Sequence, residues 1–359
     1  MNLKFHKELC KILTMCEYRI GRRSKNKNIA EAFDIMKNQT ISRFRDVHVH
    51  AATVQEWSQD YSQLTAGSTE SSLMQLSTAG VHVFLEQINQ RVVQHGVAPR
   101  GKMCFAVPIT TPGSIRMQGR EADDSSLFFL HGGEEFMFHM PMGMELLSIT
   151  FERELFEQAL AQTASAKEVS LLLRQPVIRV STPRFADARR RLLAMFSQAL
   201  VYEELDSTRD RERELALEQA MLGELLQLMT DPACDKQQRS ASSTRSFIVE
   251  KCHRLATAEM IDVPSVIELC QRLQVSRRTV QNSFRSVAET TPLNYLRSVR
   301  LNGVRRTLMS TRASHLSIGD AAAQWGFFHL SHFAAEYQEL FAELPSHTPR
   351  AAITGCAHA

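Results

Sequence analysis

The sequence predicts an α+β chain. A β-rich N-terminal half closes as a small cupin-like barrel, a pair of helices follows, and the C-terminal domain is all-α, built from two helix-turn-helix units. Three observations carry this. Eight short segments between residues 72 and 150 are rich in β-branched and aromatic residues and are punctuated by Gly and Pro. Between 153 and 229 the apolar pattern changes to a helical period. Beyond 247 a helix, tight turn, helix pattern occurs twice.

With 359 residues the chain is too long for one ordinary core. Its 43% hydrophobic and 23% charged residues are those of a globular protein, not a disordered or fibrous one. No apolar run approaches the roughly 20 residues needed to span a bilayer, and no secretory signal is visible. The cysteines, at 10, 16, 104, 234, 252, 270 and 356, are odd in number and form no C-x-x-C pair. Reduced thiols and a cytoplasmic location are expected. The net charge of +3 hides an asymmetry of about +7 over residues 1–45, about −8 over 46–244 and about +4 beyond. Nine arginines face a single acid, Glu289, between 271 and 312, which is the footprint of a polyanion partner.

Residues 1–45 read as a basic, weakly ordered extension. Residues 46–230 read as an effector-sensing and dimerisation domain. His48, His50, Trp57 and Leu64 suggest an opening strand and a short helix. Segments 72–77, 81–88, 91–95, 103–109, 114–118, 126–130, 135–140 and 145–150 are the expected strands. The Phe-rich runs on either side of Gly132-Gly133 predict a hairpin. Such a barrel can hold a small ligand. Helices are expected over 153–164, 184–204 and 210–229. The last two form an antiparallel pair whose apolar stripe is core, part of which could serve a homodimer. Residues 231–246 read as a linker.

The expected C-terminal helices cover 247–257, 265–273, 276–287, 292–310, 318–325 and 329–341, in a domain spanning 247–350 with a tail over 351–359. Residues 276–284 are the most informative. Ser276 is a good N-cap, and Val280 and Phe284, four apart, share a face to bury. The other face offers Arg277, Arg278, Gln281, Asn282 and Arg285. Arg suits phosphates and guanine, and Gln and Asn suit the adenine edge. The plainer alternative is an amphipathic helix with a solvated polar face. A long helix opened by Pro292 can join two such units so that they lie about one turn apart along DNA.

The runs L-C-Q-R-L-Q-V-S-R-R-T-V-Q-N-S-F, P-L-N-Y-L-R-S-V-R-L, I-G-D-A-A-A-Q-W-G-F and H-F-A-A-E-Y-Q-E-L-F, ending in Pro345, resemble the DNA-binding domain of the AraC/XylS family of bacterial transcription regulators. The resemblance implies a DNA-binding transcription regulator, an activator that works with RNA polymerase. Base contacts would come from Arg278, Gln281 and Asn282 in the first unit, and from Leu330, Ser331, His332 and Ala335 in the second. Leu330 and Ala335 are poor hydrogen-bonding readers. Arg305 would meet phosphate. Where the family has Gly after each reading helix, this chain has Glu289 and Ala342, which puts both helix ends in question. Within the family the wording is close to that of ethanolamine-utilisation regulators, implying ethanolamine and adenosylcobalamin as effectors. The corrinoid-ligating D-x-H-x-x-G motif is absent.

Glu134 and Glu135, after the Gly-Gly turn, could neutralise a cationic amine at a barrel mouth, or could simply be a solvated tip. His48, His50 and Glu56 faintly resemble a cupin metal motif, but the spacing is off and no metal is expected. No catalytic motif occurs, so no enzyme is expected. Two alternatives stay open: a DNA-binding protein with a non-sensing barrel, and a cupin-type metalloenzyme fused to a helical domain.

Overall fold

The barrel is made by two antiparallel sheets that face each other. In this computed structural model, residues 39–113, 115–163, 166–201, 207–231, 244–258 and 264–351 are described. The expectations for 1–38, 232–243 and 352–359 lie outside them. Strand β1 (Gln39–Phe44), helix α1 (Val47–Thr53) and β2 (Ser58–Gln63) come first. Then follow β3 (Ser71–Ser77), β4 (Val81–Ile88), β5 (Val92–Val97), β6 (Lys102–Thr110), β7 (Ile115–Met117), β8 (Arg120–Ala122), β9 (Ser126–His131), β10 (Glu135–Met140) and β11 (Met144–Glu152). With β12 (Val177–Arg179), they form a seven-stranded sheet in the order β1-β3-β4-β11-β6-β9-β12 and a five-stranded sheet in the order β2-β5-β10-β7-β8.

Three expectations are corrected here. The expected extension ends too late, because residues 39–44 pair with β3 as an edge strand. His48 and His50 lie on a helix, since Asp46 accepts from the His48 and Val49 backbone N–H groups and so caps it. The Gly-Gly turn does not make a hairpin. Strand β9 pairs with β6 and β12 while β10 pairs with β5 and β7, so the turn carries the chain from one sheet to the other. Gly133, with φ +88°, supplies the left-handed residue of that crossing.

Strand alternation separates the cores. Along β4, Val81, Val83 and Leu85 face outward into a cluster with the helices that follow β11, while Phe84, Glu86 and Ile88 face the barrel interior. Those helices are α2 (Arg153–Ala161), α3 (Ala166–Leu172), α4 (Thr182–Val201) and α5 (Ser207–Thr230). The expected pairing of α4 and α5 is present. Phe185, Leu192, Phe196, Leu222 and Leu225 are buried in that cluster, and Arg191 grips both Glu224 oxygens at 2.7 Å.

The C-terminal domain comprises α6 (Thr244–Ala258), α7 (Val266–Leu273), α8 (Arg277–Ala288), α9 (Pro292–Ser310), α10 (Ile318–Gln324) and α11 (Leu330–Phe341), closed by a 3-10 turn at Pro345–His347. Residues 244–246, expected in the linker, begin α6. Each helix-turn-helix unit has its own core: Leu269, Val280, Phe284 and Tyr295 in the first, and Leu301, Val304, Trp325, Phe333 and Tyr337 in the second. Helix α9 belongs to both, which is why its apolar pattern runs round the helix. At Gly303 the Trp325 ring lies so close that a Cβ would sit 2.5 Å from three ring carbons. Gly303→Ala is therefore expected to destabilise by about 1–3 kcal/mol, because a ring held on both sides cannot yield. Denaturant titration reads this, and an unchanged midpoint would show that the ring moves freely.

Candidate nucleic-acid interface and barrel cavity

Helix α8 is built as its sequence suggests. Ser276 in extended conformation accepts the Thr279 N–H at 3.1 Å, and Val280 and Phe284 are fully buried, the latter edge-on to Tyr295. The opposite face leaves Arg277, Arg278, Gln281, Asn282 and Arg285 exposed together. The preceding helix α7 is fixed by a full capping box between Ser265 and Glu268. The turn between them is closed by Gln274 in the left-handed region, φ +53°.

The second unit repeats this with other means. Ser317 caps α10, and Gly326, φ +75°, makes the turn. Arg300 donates to the Trp325 and Gly326 carbonyls at 2.9 Å and lies over the Phe327 ring, closing the end of α10. On α11, Ser331, His332 and Ala335 are exposed. Leu330, expected with them among the base contacts, is 52% exposed beside an exposed Phe328. This second face is apolar and weakly polar where the first is cationic.

Both questioned helix ends keep the conformation that Gly would give. Glu289 and Ala342 are left-handed, with φ +53° and +56°. At Glu289 the side chain has a use, since its carboxylate pairs with Arg91 of the barrel.

That pair belongs to a wide seam between the domains. Outward residues of the five-stranded sheet, which alternation alone would assign to solvent, meet the helices instead. Val93 and Met137 join the first unit's core. Arg116 donates to the Ser286 carbonyl at 3.1 Å, Asp60 pairs with Arg306 and Glu135 with Arg254. Gln63 and Asn302 exchange two hydrogen bonds of 2.9 Å. The Tyr295 hydroxyl lies between His139 and His253, at 3.3 and 3.0 Å.

Arg305, expected at a phosphate, is in this seam and not on the surface. It is 5% exposed, stacks over the Phe341 ring, donates to Glu343 at 2.7 Å and Tyr337 at 3.2 Å, and pairs with Asp46. Asp46 thus caps α1 with one oxygen and holds α9 with the other. Burial alone would raise its carboxyl; the charges of His48 and Arg305 and the hydrogen bonds it accepts bring it below the ordinary range. The basic stripe accordingly divides. Arg277, Arg278 and Arg285 are presented outward, while Arg300, Arg305 and Arg306 hold the fold and the seam together.

Neither Glu134 nor Glu135 lines the barrel cavity. Glu134 accepts from the His131 N–H within its own turn, and Glu135 faces Arg254. The acid that does face the barrel interior is Glu86, which the sequence reading passed over. It borders a cavity lined mainly by aromatic and aliphatic side chains, Trp57, Phe84, Phe136 and Phe138 among them. Cys104 also lines it, its thiol pushed by burial up to about 12 and so kept protonated. Among the described residues no group of three or more His, Cys, Asp or Glu is placed to hold a metal ion, and no helix is long and apolar enough to cross a membrane.

Fold and exposed face together define a double helix-turn-helix protein. Residues 269–351 match the family model of a helix-turn-helix domain. Over 86 residues the chain is 40% identical to the XylDLEGF operon transcriptional activator of Pseudomonas putida, covering 24% of this chain and 27% of that protein. Over 82 residues it is 35% identical to the HTH-type transcriptional regulator CdhR of Pseudomonas aeruginosa, covering 23% and 24%. The match thus spans about a quarter of these relatives' length. Among solved structures, the AraC-like transcriptional activator CuxR aligns with a TM-score of 0.40 and 13% identity over 73% of this chain and 93% of that one. ToxT of Vibrio cholerae O395 aligns at 0.28 and 12%, over 81% and 96%. The C-terminal residues 269–351 are thus a helix-turn-helix domain similar to that of these transcriptional activators.

Proposed function

We propose that the chain is a sequence-specific DNA-binding transcription regulator, an activator whose barrel takes a small effector. The observation that carries this is α8. Its apolar face is sealed in a core while Arg278, Gln281 and Asn282 stand exposed on one side, the residue types that recognise base edges in a major groove. With α11 contributing Ser331 and His332 and otherwise apolar surface, discrimination between sequences rests mainly on the first unit. RNA polymerase as partner and a homodimer through α4 and α5 belong to the same proposal. Leu215 of α5, 46% exposed, is available to a second copy.

Sequencing the DNA retained by the purified protein from its host would supply the binding site. On that DNA, Arg278→Ala is expected to weaken specific binding by about 1–3 kcal/mol, to relax preference at one position and to leave the melting temperature unchanged. Fluorescence anisotropy across a salt series measures it. Equal losses on specific and random DNA would remove Arg278 from base recognition.

The barrel interior holds a cavity walled mainly by apolar side chains with a few polar groups, the make-up of a small-molecule site. Ethanolamine and adenosylcobalamin, implied by the wording of the C-terminal domain, are the first ligands to test by calorimetry. Glu86 offers an amine its counter-charge.

A further inference from the structure

We infer that the barrel cavity is a site for a small aromatic or otherwise apolar amine, bound as its ammonium by Glu86. The inference rests on the reading of the barrel as the effector-binding part of a regulator, and adds the class of ligand.

Glu86 is 1% exposed. Its carboxylate accepts from the Tyr61 hydroxyl at 2.9 Å and from Gln94 Nε2 at 3.1 Å, both neutral donors. His50 Nε2 is 3.4 Å away, and the other nitrogen of that ring is engaged with Ser71 Oγ at 2.8 Å. Burial and the adjacent Glu86 charge both raise the Tyr61 hydroxyl well above its ordinary value, so it remains a donor. No Lys or Arg lines the cavity. An ionised carboxylate withdrawn from water is costly unless a cation meets it. The cavity therefore presents a carboxylate with hydrogen-bonding support, and apart from the adjacent His50 ring no basic side chain stands by to meet it.

The walls say what that partner carries. Trp57 stands edge-on to Phe84 and Phe136, with ring centroids 6.1 and 5.5 Å away, and Phe128, Phe138 and Met117 complete much of the lining. Ring faces attract an ammonium and also bury an apolar body. Trp57 further buries its indole N–H without a hydrogen-bond partner. A carboxylate ligand would meet Glu86 as like charge. Ethanolamine would answer the charge but leave most of the apolar wall uncovered. An arylalkylamine answers both.

The test uses the full-length protein and three probes of one shape and different charge: 2-phenylethylamine, 2-phenylethanol and 3-phenylpropionate. Titration calorimetry at neutral pH is expected to show the amine binding at least about tenfold tighter than the alcohol, with the carboxylate weakest. Glu86→Gln is expected to lower amine affinity at least about tenfold and to leave the alcohol within about threefold. Alcohol or carboxylate binding as tightly as the amine overturns the inference, as does binding of none of the three or an amine affinity indifferent to Glu86→Gln. If that variant does not fold, the wild-type series decides alone. DNA binding by the same preparations separates the two readings. Intact, salt-sensitive DNA binding with no amine preference sinks the ligand class only, whereas amine selection without DNA binding sinks the regulator and supports the site.

Discussion

Replacing Arg305 by alanine is expected to cost the fold about 3–5 kcal/mol, because it leaves Asp46 buried without its cation. The loss has a structural address. Arg305 holds Asp46, Glu343 and the hydroxyl of Tyr337 together and covers the Phe341 ring, so its removal loosens both the barrel's first helix and the end of α11. Urea titration followed by circular dichroism should show an earlier transition with DNA absent. DNA binding should then weaken only in proportion to the unfolded fraction, with an unchanged salt slope. The opposite pattern, full stability with a slope reduced by about one, would return Arg305 to the phosphate backbone.

Acid is the second large effect. Burial, then Arg116 and Arg91, push the His139 imidazole down to about 3; burial outweighs the pull of Asp46 and, with Arg306 and Arg305, takes His48 to about 3. His82 is pushed to about 4, chiefly by burial. His253 falls well below its usual range through burial, then His95 and His139, with Arg306 and Arg254 adding to it. His95 is lowered by burial and Arg254, against the opposite pull of Glu135, Asp60 and Glu250. Above about pH 6.5 these rings are neutral folded or unfolded and contribute no slope. Below it the unfolded chain takes up protons that the fold refuses, so stability falls with pH until the folded values are reached. Between about pH 6.5 and 5, His48 and His139 should each cost about 2 kcal/mol. Scanning calorimetry should show the melting temperature falling through this window, less steeply in His139→Gln. A flat profile from pH 7 to 5 would show that protons reach these rings in the folded state.

How much of this was legible depends on what each element packs against. Helices α8 and α9 could be read closely, because capping residues and an apolar face with a solvated opposite face are local signals. Ser276, Val280, Phe284 and Pro292 stand where their chemistry requires. Strand β4 was found but not its faces. Helices cover one side and the cavity lies on the other, so V-H-V-F-L-E-Q-I shows no alternation between wet and dry. Glu86 is hidden in that run, whereas Glu134 and Glu135, conspicuous beside two glycines, are a turn and a seam contact. Arg305 misled for a related reason. An arginine in a basic stripe looks alike whether it meets a phosphate or an aspartate 259 positions away.

The sequence by itself determined the α+β class, the two helix-turn-helix units and the polar row on α8, since helix caps and periodicity act over a few residues. Only the tertiary structure decided that the two domains share a polar seam, that Arg305 and Arg306 of the arginine stripe are spent inside it, and that one strand carboxylate faces an apolar cavity. Each of these depends on which distant surfaces meet, and burial, not residue type, sets whether a charge is solvated, paired or left for a ligand.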